Sequence, residues 1–169
     1  VGQLSNGSSG NETGLLTLGG NGSNHLDVAG SGTVVMVGQY LSGSGSGQAL
    51  GVLTLSNLDS SSAIVSTDSS TAILLGATVK SSGTLNLTGG TLTIATSGEG
   101  IAGGAGTSTV NLDGITLKAG AGSVGFITNV STVNVNAGGV TFDTAGFDLA
   151  IPQALANGGA DSGADSSAD

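Results

Sequence analysis

The chain has 169 residues, within the range of one domain, and 33 of them are glycine, whereas only 8% are charged. Two lysines and no arginine stand against eleven carboxylates, and this net charge of −9 argues against nucleic acid as a partner, because neutralising phosphates needs basic side chains. The absence of cysteine excludes disulfides and thiolate metal sites, and no apolar run approaches the roughly 18 residues of a membrane-spanning helix, so no membrane insertion is expected.

The first half of the chain predicts short strands at irregular spacing. Apolar and polar residues alternate there, which is the signature of a strand with one buried face. This alternation occurs in residues 14–20, 25–38, 51–57 and 63–79. The Gly/Ser-rich stretch 42–48 indicates a flexible excursion from one corner of the fold.

Three phrases in the second half share one pattern of alternating apolar and small polar residues. They are GTLNLTGGTLTI (83–94), STVNLDGITLKA (108–119) and STVNVNAGGVTF (131–142). Their period of two, together with their Gly and Thr content, excludes helix. The aligned apolar residues predict three interior columns, namely Leu85/Val110/Val133, Leu87/Leu112/Val135 and Leu92/Leu117/Val140. The aligned polar residues predict two outward columns, Thr84/Thr109/Thr132 and Asn86/Asn111/Asn134.

A strand-rich unit that recurs every 23 to 25 residues is typical of a solenoid. We therefore predict an all-β, parallel β-solenoid (β-helix) of about six or seven coils, a number that follows from the spacing of the strand-like segments. Its corners are expected at Gly89–Gly90, Gly103–Gly104 and Gly138–Gly139, since glycine accepts positive φ without steric cost. A β-sandwich would also have many short strands, but it has no reason to repeat its sequence. Stacked asparagines should form a hydrogen-bonded ladder.

The predicted domain organisation is simple. One solenoid domain covers residues 1–156, with looser coils in 1–82 and regular repeats in 83–155, and residues 157–169 form an acidic tail or linker. The chain begins at Val1 without an initiator Met and no signal peptide is visible, so we expect a processed or excerpted piece.

Residues 99–155 carry a more specific likeness. The phrases in 108–119, 137–147 and 151–155 are similar to phrases such as STLNLNGGTLKA, AGGVTFDTNGF and IAQAL. In this respect the chain resembles the bacterial autotransporter-associated β-strand repeat proteins. The resemblance implies a right-handed parallel β-solenoid, located outside the cell or on its surface, usually as a segment of a giant cell-surface protein. It offers no catalytic motif to transfer to this chain.

The carboxylates are the candidate catalytic residues, because some solenoids cleave polysaccharides. Glycoside hydrolysis needs two carboxylates about 5 to 9.5 Å apart. Asp113 aligns between Thr88 and Asn136 and has no acidic neighbour, while Asp143 and Asp148 flank a corner and are interpreted as turn residues. With no arginine and one histidine, a lyase would lack its base and its substrate-binding cations. We predict no enzyme activity and no catalytic residue.

Cation sites were sought as well. Asp161, Asp165 and Asp169 are spaced by four and could collect a cation, but a solvated tail is the preferred interpretation. His25 is the sole imidazole and is interpreted as a surface or corner residue, because no second ligand is indicated. No metal site and no cofactor are predicted.

Two further features have ordinary explanations. The Thr column would suit ice binding, but Lys118 replaces Thr93 in the second array and breaks the pattern. Glycosylation sequons arise by chance in a chain rich in Asn, Ser and Thr, and five are present, at Asn6, Asn11, Asn21, Asn86 and Asn129.

These observations favour an extracellular structural protein whose copies assemble head to tail into a filament, sheath or surface layer. The predicted partners are therefore copies of the chain itself. The alternative is a passenger-type adhesin segment of a giant cell-surface protein, which would bind glycans or neighbouring cells. Exposed aromatics would favour the adhesin, but Tyr40 is the only Tyr and there is no Trp.

Overall fold

The computed structural model describes residues 3–4, 12–40 and 47–159. Within these ranges the chain is all-β without any helix, and every strand pair is parallel. The strands are β1 (Gln3–Leu4), β2 (Glu12–Leu18), β3 (Asp27–Gly30), β4 (Val35–Val37), β5 (Gln39–Tyr40), β6 (Ala49–Leu58), β7 (Ala63–Ser66), β8 (Ile73–Leu75), β9 (Ser81–Ala95), β10 (Glu99–Gly103), β11 (Thr107–Ala119), β12 (Gly125–Thr128), β13 (Thr132–Val135), β14 (Val140–Asp143) and β15 (Ala156–Asn157).

Neighbouring strands in each sheet are far apart in the sequence, with other strands between them. The largest sheet has the order β15-β13-β11-β9-β6-β2, with β14 beside β11, and with β7 between β3 and β9. A second sheet has the order β12-β10-β8-β4, and β1 pairs with β5. Parallel neighbours need a long crossover. Here the intervening strands form the crossover, because they lie in the sequence between two neighbouring strands of one sheet.

The predicted register is confirmed for strands β9, β11 and β13. Strand β11 pairs with β9 over most of its length, with Leu112 opposite Leu87, and it pairs on its other side with β13, where Leu112 lies opposite Val135. Leu87 and Leu112 are fully buried, whereas Val135 is partly buried. Alternating aliphatic and β-branched residues suit a pleated surface with one buried face, which explains why the repeats form these strands.

One predicted column is wrong. Val140 lies opposite Ile115, and Phe142 takes the expected place opposite Leu117. The cause is the corner length, since residues 136–139 separate β13 from β14, whereas residues 113–114 turn the equivalent corner of β11. The two additional residues move β14 by one full alternation, so an inward residue remains inward but changes its partner.

The core is aliphatic and lies between the two larger sheets and the corners that join them. Its fully buried members all fall between Val37 and Val133, and include Leu85, Ile94 and Ile101. Phe126 is the largest fully buried side chain and packs edge to face against Phe142, with ring centroids 6.5 Å apart. The serines and threonines buried among these residues have hydrogen-bond partners, since no buried side-chain N or O atom in the described ranges lacks one.

The glycine corners follow two different requirements. Gly90 has φ +83°, and a Cβ there would overlap the carbonyl oxygen of Leu58 in the adjacent strand β6. Gly103 has no positive φ; instead, a Cβ at this position would overlap the carbonyl oxygen of Asn129. The predicted corner at Gly103–Gly104 therefore needs glycine for close backbone approach rather than for a left-handed conformation.

Two predicted segments fall largely beyond the described ranges. The excursion predicted for residues 42–48 lies mostly outside them, as do residues 160–169 of the predicted tail. Strand β15 (Ala156–Asn157) pairs with β13 and spans the expected domain boundary between residues 156 and 157.

Candidate functional site

The largest sheet carries two outward rows, each made of residues paired in register across strands. We call these rows together the Thr–Asn face. The first row is Leu15, Val52, Thr84, Thr109 and Thr132, and the second is Thr17, Thr54, Asn86, Asn111 and Asn134. Their outward direction follows from the alternation of buried and partly exposed residues along β6, β9 and β11.

The predicted asparagine ladder is present on this face. Asn134 Nδ2 donates to Asn111 Oδ1 at 2.8 Å, and Asn111 Nδ2 donates to Asn86 Oδ1 at 2.7 Å. Asn86 Nδ2 then donates to Thr54 Oγ1 at 3.1 Å, so every amide donates toward the N-terminal strands. Asn86, one of the five sequon asparagines, is a member of this ladder.

The hydrophobic core is open at both ends of the described chain. Side chains that pack against the core but stay partly exposed fall into two groups at its two ends. They are Leu18, Leu26, Val34 and Val35 in the first group, and Val135, Val140, Phe142, Leu149 and Ile151 in the second. Leu16, which occupies the same column as buried Leu53, is 50% exposed.

Strand edges are open at the same two ends. Within the described residues, β2, β3 and β4 each have one neighbouring strand, and the same holds for β14 and β15. The C-terminal segment partly covers the last strands, since the Phe126 N–H donates to the Ala150 carbonyl and the Val130 N–H donates to Gln153 Oε1. The open edges at the C-terminal end are therefore β14 and the two-residue β15.

His25 lies against a carboxylate that sequence reasoning did not connect with it. Its Nδ1 is 3.2 Å from both oxygens of Asp59 and 3.2 Å from Ser61 Oγ. A Ser–His–Asp triad places the carboxylate and the hydroxyl on different ring nitrogens, whereas here both contact Nδ1. The arrangement thus lacks the geometry for nucleophilic catalysis. No sequence signal could have found it, because this part of the chain does not repeat and no alignment places one residue beside the other.

Two carboxylates have strongly lowered pKa values. The side-chain hydrogen bond with His25, and then that with Ser61, lower the pKa of Asp59 to about 2. The backbone N–H of Gly32, and then hydrogen bonds from Ser70, lower the pKa of Asp68 to about 2. Both residues join one corner of the chain to the next, which is a structural task.

The carboxylates considered for glycoside hydrolysis take part in local structure. Asp113 lies opposite Thr88, as predicted, and its Oδ1 accepts the Gly138 N–H at 2.7 Å. Asp143 Oδ1 accepts the Ala145 N–H two residues later at 2.9 Å, which is the expected turn bond. Asp148 is exposed. The absence of enzyme activity remains a prediction.

A polar notch of about 410 Å³ lies at the first corner of the largest sheet. It is open to solvent and lined by Asn21, Gly22, Ser23, Asn57, Leu58 and Gly90. The notch exists because residues 19–23 form a five-residue corner there, whereas residues 56–57 turn the next corner.

The described part of the chain contains no group of three or more His, Asp or Glu side chains that could hold a metal ion. The spaced aspartates Asp161, Asp165 and Asp169 lie outside the described residues. No helix long and apolar enough to cross a membrane occurs in residues 3–4, 12–40 or 47–159.

Comparison of the chain with protein-family models, with curated proteins and with solved structures found no match. The resemblance to autotransporter-associated repeat proteins therefore rests on the phrases within residues 99–155 and remains a prediction.

Proposed function

We propose that the chain is a right-handed parallel β-solenoid of about six or seven coils that serves as an extracellular structural protein. In this proposal its copies associate head to tail at the cell surface, forming a filament, sheath or surface layer. The all-parallel pairing supports a solenoid, as do the columns of like residues, because a chain that returns to the same sheets in register stacks one coil on the next.

The observation that carries the proposal is the position of the partly exposed core residues. Among the residues whose side chains the structure describes, they lie in 18–35 and 135–151, while residues of the fully buried core lie between them. Among the described residues, each end of the stack thus presents an apolar cross-section beside an unpaired strand edge. Natural repeat proteins usually end in a capping repeat with a polar outer face.

The ends suit one another because they are two cross-sections of the same stack. An unpaired edge offers N–H and C=O groups that template another strand. A contact between the first end of one copy and the second end of another is heterologous, and stacking along the axis of the coils repeats it as an open filament rather than a ring. Burial of half-exposed aliphatic side chains supplies the driving force, at roughly 25 cal/mol per Å² of apolar area.

A matched pair of substitutions in β14 tests this proposal. Val140→Lys places a charge at a half-buried core position on the open edge, whereas Thr141→Lys adds the same charge to the neighbouring outward position. We expect the unmodified chain and the Thr141→Lys variant to form filaments, and the Val140→Lys variant to remain short. Sedimentation velocity and negative-stain electron microscopy provide the measurements. A monodisperse monomer of the unmodified chain at high concentration would contradict head-to-tail assembly.

The alternative function, a passenger-type adhesin segment, is favoured by one observation, the polar notch beside Asn21 and Asn57. Its volume of about 410 Å³ lies within the usual range for small-ligand sites. An adhesin of this kind would bind immobilised glycans as a monomer, and it would lose that binding when Ser23→Phe fills the notch. Glycan-array binding by an unassembled chain would favour this function over the structural one.

A further inference from the structure

The Thr–Asn face carries no charged residue, although the chain has a net charge of −9. The nearest carboxylate on the same strand, Asp113, lies at the corner and accepts the Gly138 N–H. On the strands after that corner, the row that runs through Thr93 contains Asp27, Lys118 and Asp143. Charge depletion distinguishes the cores of protein interfaces from ordinary surface. A face without charges avoids the repulsion between carboxylates that two acidic chains would otherwise meet where they touch.

The spacing of the face also matches a second copy of itself. Register-paired residues on adjacent strands repeat about every 4.8 Å, and outward residues along one strand repeat about every 6.8 Å. The first row presents branched side chains from Leu15 to Thr132, and the second presents the amide ladder. Faces of this kind interdigitate in pairs of sheets about 10 Å apart, where rows of identical side chains mesh.

The ladder adds hydrogen-bonding capacity to the face. Each amide has two N–H groups, and the ladder bonds of Asn111 and Asn134 use one from each residue. No other hydrogen bond from these amide nitrogens occurs within the described residues, so a partner across the face can accept from the second N–H. Leu15, which is 69% exposed, provides the apolar contact at the N-terminal side.

We propose that the Thr–Asn face is a lateral interface on which a second copy of the chain packs face to face. The inference rests on the proposed structural function, because it supplies the side-by-side contact that turns single filaments into a sheath or layer. A glycan is the less suitable occupant, since no aromatic side chain lies on the face to stack against a sugar ring.

Strand β11 offers a matched test, because Thr109 and Thr116 lie on the same strand and are both partly exposed. Thr109 lies in the middle of the first row of the face, and Thr116 lies opposite Thr91 and Thr141 beyond the corner. Thr109→Lys brings a desolvated charge into the lateral interface, whereas Thr116→Lys adds the same charge elsewhere. We expect Thr109→Lys to reduce lateral association at least about tenfold and Thr116→Lys to leave it unchanged.

Sedimentation equilibrium measures the association, electron microscopy measures filament width, and circular dichroism verifies that each variant folds. If Thr109→Lys fails to fold, Val52→Lys tests the same row from β6. Paired filaments or layers that become single with Thr109→Lys support the proposal. Single filaments of the unmodified chain overturn the lateral interface alone, and lateral dimers without filaments overturn head-to-tail assembly alone. A chain that stays monomeric overturns both the head-to-tail assembly and the lateral interface. Binding of a neutral polysaccharide by that monomer would not rescue either proposal.

Discussion

The β9–β11 pair and the β3–β7 pair are both parallel, but they are held together in different ways. Between β9 and β11, like residues face one another, with Leu87 on Leu112 inside and Asn86 on Asn111 outside. No charge takes part in these two contacts. The pair extends along nearly the whole of β11 because the two corners that interrupt it have the same length.

The β3–β7 pair is short and is bracketed by two carboxylates. Asp59 precedes β7 and contacts His25, which precedes β3. Asp68 follows β7, and its Oδ2 accepts the Gly32 N–H, just after β3, at 2.8 Å. These residues connect the corners on either side of a pair of strands that covers only Asp27–Gly30 and Ala63–Ser66.

The difference shows two ways of stacking successive parts of one chain. Where the sequence repeats, identical rows supply both the packing and the hydrogen bonds. Where it does not repeat, corners differ in length and single carboxylates tie them together. The first region should therefore depend on buried volume and amides, and the second on pH.

The largest expected effect breaks the repeating region. Leu112→Asp places an unpaired charge in the centre of a fully buried column, and we expect a loss of about 4 kcal/mol or more in the free energy of unfolding. Urea denaturation followed by circular dichroism measures it. Thr116→Asp, an outward change on the same strand, serves as the control. Similar unfolding midpoints for the two variants would contradict the inward position of Leu112.

A smaller effect is expected from the ladder. Asn111→Ala removes the bonds to Asn86 and from Asn134, and we expect a loss of about 1 to 2 kcal/mol. Thr109→Ala, on the same strand and face, removes no side-chain hydrogen bond within the described residues and is expected to cost less. Chemical denaturation of both variants gives the comparison. An equal loss would show that strand propensity, rather than the ladder, determines the stability of this face.

Acid should act on the β3–β7 region first. The pKa values of Asp59 and Asp68 are lowered from 3.8 to about 2, so their stabilising contribution is complete above pH 3.8 and is lost as the pH falls through 2. We expect amide exchange in β3 and β7, corrected for intrinsic rates, to accelerate over this interval while β9 and β11 stay protected. The double variant Asp59→Asn/Asp68→Asn should lose the pH dependence. Uniform acceleration in all four strands would refute a local effect.

The smallest effect concerns His25. Because its hydrogen bond is the first cause of the lowered pKa of Asp59, His25→Gln should raise that pKa from about 2 toward 3.8. Both side chains are solvent-accessible, and exposed ion pairs contribute little to stability. We therefore expect no resolvable change in Tm. Carboxyl titration by NMR measures the shift, with Asp68 as the internal reference. An unchanged pKa of Asp59 would mean that its hydrogen bonds with Ser61 and Ser62 are enough to keep the pKa low without His25.

The sequence by itself determined the all-β class and the register of strands β9, β11 and β13. Two-residue alternation fixes which side chains of a strand are inward, and repeated identity fixes which residues stack, as with Leu87, Leu112 and Val135. The asparagine ladder follows from the same information, because an amide placed on an amide at strand spacing has a donor and an acceptor in reach. These features depend on the alternation within each strand and on its recurrence every 23 to 25 residues along the chain.

Only the tertiary structure decided the features that depend on corner length. Two additional residues in 136–139 moved Val140 from Leu117 to Ile115, and the long corner at 19–23 opened the notch. His25 and Asp59 meet across 34 residues that contain no repeat, so alignment could not bring them together. The alternation along a strand specifies which side chains point inward and which point outward. The path of an irregular corner depends instead on its contacts with the neighbouring strands. The charge-free face likewise emerged only when five strands were placed side by side.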